Sequence, residues 1–250
     1  MVSGSGSQNI IAIIQARMGS SRLPGKVLQP IEGRPMLWHI INRLKTCNRL
    51  NNIVVATTIS RDDDVIENFC HENDVDFFRG SEHDVLDRYY QTAKEFGADI
   101  IVRITADCAV IDPKVTDHVI SSYLENQNSC DFCSNVLTRT YPNGLETEVI
   151  PFETLETVWH QAEEPRHREH VTLYLADHLD DFRLMNVRNP EDLSYLRWTV
   201  DQQEDLDLIR RFYQHLYPNK QIFHTEDILD VLSREPFLME INKEVQQKVS

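Results

Sequence analysis

A rhythm in the first half of this chain constrains its fold most. Apolar, largely β-branched runs at 10–14, 53–57, 75–78 and 100–104 alternate with amphipathic helical patterns. An unbroken apolar run suits a strand covered on both faces, as in a parallel sheet between helices. Helices are expected from Pro35 through 36–44, with Leu37, Ile40, Ile41 and Leu44 on one stripe, then over 62–71, 84–96 ending near Gly97, and from Pro113 to 125. This alternation with short connections predicts an α/β class: a Rossmann-like, doubly wound, mostly parallel sheet.

The rhythm breaks near residue 131. Strands are expected at 131–137 and 145–150 around the turn Tyr141-Pro142-Asn143-Gly144, helices at 152–162 and 168–177, and a strand at 183–187. A strand at 196–200 and helices at 204–216 and 226–233 complete the chain. The reading is a single domain over 10–250, with 131–190 a mixed α+β elaboration. Residues 1–9, MVSGSGSQN, read as a flexible, tag-like segment outside the fold.

Charge narrows the function classes. The 250 residues carry 25 basic and 40 acidic side chains, a net charge of −15, which argues against a nucleic-acid or anionic-membrane surface. No apolar run approaches the ~20 residues that span a bilayer. Five cysteines, an odd number, suit reduced thiols in the cytoplasm.

Against that acidic background, Arg17, Arg22 and Lys26 stand in a loop with Gly19, Ser20 and Gly25, directly after the first strand. Ligands of open parallel sheets bind at the carboxyl ends of strands. Glycines let the backbone approach an anion, and guanidinium and ammonium groups hold phosphate oxygens. The alternative is a solvated surface loop; three cations uninterrupted by an acid favour an oligophosphate site. It is not a Walker A loop, because Val27 stands where a Ser/Thr would hold magnesium. Asp107 and Asp201 each follow an expected strand and should emerge at the same sheet edge. Alone, each reads as a cap; with the cationic loop, the pair suits Mg²⁺, which takes hard oxygen ligands and keeps several waters.

Six segments carry a family resemblance: QARMGSSRLPGKVL at 15–28, FRGSEHDVLDRYY at 78–90, RITADCAVIDP at 103–113, YPNGLETEVI at 141–150, REHVTLYL at 168–175 and RWTVDQQEDL at 197–206. In order and spacing they resemble the spore-coat-polysaccharide cytidylyltransferase-like proteins, relatives of CMP-Kdo and CMP-sialic acid synthetases. The resemblance implies transfer of CMP from CTP to a sugar acid or phosphorylated acceptor, with Mg²⁺ and release of pyrophosphate, in surface glycan biosynthesis. It assigns Lys26 and Arg17 to the α- and β-phosphates, Arg22 to the triphosphate tail, and Asp107 and Asp201 to the metal, with Asp205 a weaker helper. The base would be read by backbone near Ala12, Gln15 and Ala16, with Gly19, Ser20 and the Arg79-Gly80 loop adding contacts. Arg79 alternatively pairs with Glu82 or Asp84. Arg88 and Arg103 are ligand-directed or structural. Acceptor contacts are expected from Asn143, Glu146, Glu148, Arg168 and His170, and a homodimer through the elaborated middle.

Family members read T-G-D-C-P-L-I-D where this chain has Thr105-Ala106-Asp107-Cys108-Ala109-Val110-Ile111-Asp112. Asn143 and Glu146 stand where an aspartate is often found. These departures bear on the acceptor and on turnover. Two alternatives follow: a GT-A-type glycosyltransferase using Asp62-Asp63-Asp64, and a non-catalytic nucleotide-binding partner. Cys130-Asp131-Phe132-Cys133 lacks a second ligand pair for zinc, and on a strand its thiols would face opposite sides.

Overall fold

A computed structural model gives the structure, which describes residues 8–245. The tag-like segment expected at 1–9 lies outside the described residues up to residue 7. Asn9, however, belongs to the domain: its N–H donates to Asp99 Oδ2 at 2.7 Å, and its carbonyl accepts from the N–H groups of Asp99 and Ile100.

In chain order the elements are β1 (Ile10–Gln15), β2 (Pro30–Ile31), β3 (Arg34–Pro35), α1 (Met36–Leu44), β4 (Asn52–Thr58), α2 (Asp64–Glu72), β5 (Asp76–Gly80), α3 (Val85–Glu95), β6 (Ile100–Thr105) and α4 (Pro113–Asn126). The second half adds β7 (Phe132–Ser134), β8 (Glu148–Pro151), α5 (Phe152–Gln161), α6 (Pro165–Glu169), α7 (Leu173–Asp177), β9 (Leu184–Asn186), α8 (Gln203–Leu216) and α9 (Thr225–Arg234). The main sheet runs β5-β4-β1-β6-β8-β7-β9. Its first four strands are parallel, and β8 lies antiparallel between β6 and β7.

Alternation along β1 explains the two layers. Ile11 and Ile13 pack with Leu86 and Tyr89 of α3 and Leu155 of α5, while Ala12 and Ile14 pack on the other face with Leu37 and Ile40 of α1, Val119 of α4 and Phe212 of α8. The chain leaves β1 for β4 and β5 on one side, then crosses to β6 on the other. The carboxyl ends of β1 and β6 therefore adjoin where the strand order reverses, which is where ligands of such sheets bind.

Four expectations need correction. Residues 196–200 form no strand; they run extended past the sheet end, with one bridge between Arg197 and Asn143 and the Val200 N–H donating to the Asp107 carbonyl at 3.0 Å. The single helix expected at 168–177 is two short ones, α6 and α7, broken at His170, whose φ of −106° and ψ of 73° are not helical. Strands β7 and β8 pair antiparallel, but through the long connection 135–147 rather than a tight hairpin. Cys130 precedes β7, its thiol donating to the Phe132 carbonyl at 3.2 Å and that of Cys133 to the Val119 carbonyl at 3.7 Å, and the two pack into the same core layer rather than on opposite sides.

Candidate nucleotide site

Residues 16–26 fold back on themselves after β1. The N–H groups of Ser20 and Gly25 both donate to the Met18 carbonyl, at 2.8 and 3.0 Å. Gly25 turns at φ +68°, in the left-handed region that glycine enters without strain, and so directs Lys26 over the sheet end. The base of the loop is pinned from β4: the Met18 N–H donates at 2.7 Å to Asp63, a 2 % exposed carboxylate that also accepts from the Thr58 hydroxyl.

Lys26 is the centre of the site. Its Nζ donates to Asp201 Oδ1 at 2.9 Å, to Asp107 Oδ2 at 3.3 Å and to the Val200 carbonyl at 2.7 Å. Arg22 and Arg197 hold Asp201 Oδ2 at 2.9 and 3.1 Å. Asp107 arrives from the end of β6, where the Thr105 hydroxyl donates to its Oδ1. Asp201 arrives on the extended segment that Asn143 and Asp107 hold by backbone hydrogen bonds. Gly144 makes this approach possible: at φ +110°, a Cβ there would lie 2.6 Å from the backbone of Trp198 and Thr199.

Charge in the cluster is mutual. Burial opposes charge on Lys26, but Asp107 and Asp201 outweigh it and hold its pKa above the ordinary value. Burial likewise opposes charge on Asp201, yet Lys26, Arg22 and Arg197 hold its pKa below the usual carboxylate range. Beside the cluster lies a cavity of about 300 Å³, lined by Gln15, Arg17, Gly19, Ser20, Arg22, Lys26 and Asp107 among others. Arg17 is half-exposed, its nearest acid Glu82 at 3.7 Å.

Several expected contacts lie elsewhere. Ala12 is fully buried in mid-strand, its backbone in register with Ile53 and Val102, so no ligand reaches it. Ala16 donates its N–H to the Ala56 carbonyl at 3.1 Å. Arg79 pairs with Asp64 at 2.7 Å and with Glu67, and donates to the carbonyls of Thr58 and Ser60, rather than reaching the loop or its expected surface partners. Arg168 forks onto Asp84 at 2.6 Å and donates to the Trp159 carbonyl, tying α6 to α3. Glu148 is buried, paired with Arg103 and accepting from the Thr172 hydroxyl. Glu146 accepts from Arg139 at 2.6 Å and from the Gly144 N–H at 2.8 Å. Asn143 works through its backbone, and His170 lines a smaller neighbouring cavity with Arg17 and Gln15. Asp205 accepts from Arg197, Asn242 and the N–H groups of Asp201 and Gln202; it caps α8 and is no free helper.

Arg197 and Asp63 are the residues missed from sequence. Arg197 stands four positions before Asp201, a spacing that hints at pairing; Asp63 carried no signal, because its partner is a backbone N–H distant in sequence. Ala106 and Ala109 are buried, and Asp107 still reaches Lys26 beside them. Cys108 is an inert thiol, its pKa pushed well up by burial and by Glu146 and Asp107. Of the Asp62–Asp64 acids, Asp63 holds the loop and Asp64 holds Arg79, which leaves no D-x-D pair for a glycosyltransferase metal.

A family model described as cytidylyltransferase matches residues 11–245. The spore coat polysaccharide biosynthesis protein SpsF of Bacillus subtilis is 32% identical over 235 residues, 91% of this chain and 95% of that one. A 3-deoxy-manno-octulosonate cytidylyltransferase of Geobacter sulfurreducens is 35% identical over 119 residues, 47% of this chain and 46% of the relative. The solved structure of a cytidylyltransferase from Leptospira borgpetersenii superposes with a TM-score of 0.89 at 32% identity, covering 97% of this chain and all of its own.

Proposed function

Because the chain belongs to the cytidylyltransferase family and is a CTP-dependent nucleotidyltransferase, we propose that it transfers CMP from CTP to a sugar acid or phosphorylated acceptor, with release of pyrophosphate, in polysaccharide biosynthesis. One observation carries this reading: cations and carboxylates from three distant segments converge on Lys26 where the strand order reverses. Attack by an acceptor oxygen on the α-phosphate needs positioning and charge neutralisation more than covalent help. In this reading Lys26 and Arg17 take α- and β-phosphate oxygens, and Arg22 the tail. As Lys26 and Arg22 turn to the phosphates, Asp201 exchanges them for another positive partner.

That partner is Mg²⁺ in our reading. Among the described residues no group of three or more His, Cys, Asp or Glu side chains forms a metal cage. Two carboxylates sharing one ammonium at 2.9 and 3.3 Å nonetheless fit an ion that takes one or two protein carboxylates and fills its shell with phosphate and water. Asp107 and Asp201 would hold it, and when bound it neutralises charge developing on the phosphates. All five cysteines are free and buried, which supports a reducing, cytoplasmic setting, and no described helix is long and apolar enough to cross a membrane. A homodimer through the middle region is part of the proposal, on the family resemblance, and sedimentation checks it.

The first test is thermal stabilisation by CTP, UTP, GTP and ATP with Mg²⁺, in the wild type and in Lys26→Ala and Asp107→Asn. A preference for CTP that both variants lose supports the reading. Silence to every triphosphate with a response to a nucleotide-sugar sinks it.

A further inference from the structure

Arg88, on α3, is 2 % exposed and forms no ion pair among the described residues, its acids Asp63 and Glu82 acting only from a distance. Its one hydrogen bond among the described residues runs from NH1 to the Ser81 carbonyl at 2.6 Å, and its buried Nε has no partner. The other buried guanidiniums also leave one nitrogen without a partner, Nε of Arg103 and one terminal nitrogen of Arg43, but the rest of each is better satisfied. Arg103 faces Glu148, and Arg43 donates to the carbonyls of Val110, Ile111 and Phe223. Burial lowers the pKa of Arg88 and the charge of Arg17 adds to this, while Tyr89 and the charges of Asp63 and Glu82 oppose it without cancelling it. A guanidinium nonetheless keeps its proton, so a positive charge with no carboxylate in direct contact is held inside the protein. Such a charge is costly unless something outside the chain neutralises it.

The surroundings indicate what that is. Arg88 lines a cavity of about 140 Å³ with Arg17, Arg103, Gln15, Glu169 and His170. Of the three guanidiniums, Arg103 is paired with Glu148 and Arg17 lies 3.7 Å from Glu82, so Arg88 is the one without an ion pair, and Glu169 is the acid in the lining. Gln15 and Arg17 also line the nucleotide cavity, so the two spaces adjoin across the end of β1.

We propose that this cavity is an oxyanion subsite for the acceptor, in which a carboxylate or phosphoryl oxygen neutralises Arg88 beside Arg17 and His170. It rests on the transferase reading above, which already takes an anionic acceptor, and adds to it the residue that holds the anionic group. Space for one small anion, rather than for a whole sugar, fits a subsite that grips one end of the acceptor and leaves its reacting oxygen towards Arg17 and Lys26.

The full chain, with and without CTP, serves for the test. Pyruvate, inorganic phosphate and neutral glycerol are titrated at constant ionic strength against the wild type and Arg88→Met, following Tm. With CTP covering the phosphate loop, pyruvate, phosphate or both should raise the wild-type Tm by about 2 °C or more. Glycerol should not distinguish the two proteins, and Arg88→Met should lose the anion response while its CTP affinity stays within about twofold. Without anions Arg88→Met should melt no lower than the wild type, whereas a structural arginine would lower it. A pyruvate-only response assigns a carboxylate acceptor, and a phosphate-only response a phosphorylated one. The proposal falls if neither anion stabilises the CTP-loaded wild type, if Arg88→Met keeps the response, or if it melts well below the wild type. Failure of CTP to bind at all overturns the transferase reading instead; the anion titrations without CTP still decide Arg88.

Discussion

Two cationic clusters flank Gln15 and Arg17, and they are built in opposite ways. Around Lys26 every cation has its acid: Asp107 and Asp201 for Lys26, Asp201 for Arg22, Asp201 and Asp205 for Arg197. Around Arg88 the buried charge has one carbonyl. The first is neutral within itself, so a polyanion enters by exchange and needs a second cation to replace what Asp107 and Asp201 give up. In the second, Arg88 has no ion pair to give up, so an anion enters by simple addition. The difference suggests a division of labour, with metal-assisted phosphate handling on one side of β1 and recognition of the acceptor's charge on the other.

The comparison breaks most visibly at Lys26. Lys26→Ala should lower kcat/KM for pyrophosphate release about 10²-fold or more, the scale seen when one preorganised charge donor is removed. An unchanged steady-state rate would remove Lys26 from the chemistry. Asp107→Asn should next raise the Mg²⁺ concentration for half-maximal activity at least about tenfold, the lower bound typical even of residues one shell further out. A magnesium titration with coupled detection of pyrophosphate checks it.

Gly144→Ala tests the scaffold behind the first cluster. Its Cβ would strike backbone at 2.6 Å while the residue holds φ +110°, so unfolding in urea should show a loss of about 3 kcal/mol. A loss below about 1 kcal/mol would mean that residues 197–199 shift freely. Arg168→Met sharpens the contrast with Arg88. Breaking the partly exposed Arg168–Asp84 pair should cost about 2 kcal/mol, discounted for solvent from the larger figures for buried pairs.

The smallest effect is on the acid limb. Asp201 and Asp112 have folded pKa values below the usual carboxylate range; for each, burial works against the shift. It is outweighed for Asp201 chiefly by Lys26 and for Asp112 by hydrogen bonds from Thr225, His224 and Lys114. Their stabilisation is therefore fully present above the unfolded value near ~3.9 and is lost as pH falls through the folded values. Tm should hold from pH 7 to about 5 and fall below about 4, less steeply in Asp112→Asn, where one of the two groups no longer titrates. A parallel slope in that variant would remove Asp112 from the linkage.

Residues 10–126 were legible, the two-residue strands β2 and β3 apart, because each longer strand and helix there declares itself by its own period. Residues 196–200 alternate like a strand, yet a strand needs a neighbour to pair with, and beyond the end of β6 only Asn143 offers one bridge. The helical pattern at 168–177 continues through His170, but the backbone breaks there, with Arg168 drawn to Asp84 and Thr172 to Glu148. Arg79 and Arg168 were expected at ligands for the same reason: a sequence displays a positive charge but not which carboxylate stands opposite. Arg17, Arg22, Lys26 and Asp107 were found because a loop after a strand has only one sheet end to occupy.

Local chemistry in the sequence determined the parallel α/β core, the glycine-bearing cationic loop and the family, since these follow from periodicity, backbone freedom and residue type at short range. The tertiary structure decided which charges meet. Asp201 joins Lys26 across the fold through backbone bonds from Asn143 and Asp107, and Arg88 lies buried without an ion pair among the described residues. Electrostatic energy depends on distance and burial, and neither is written in the order of the residues.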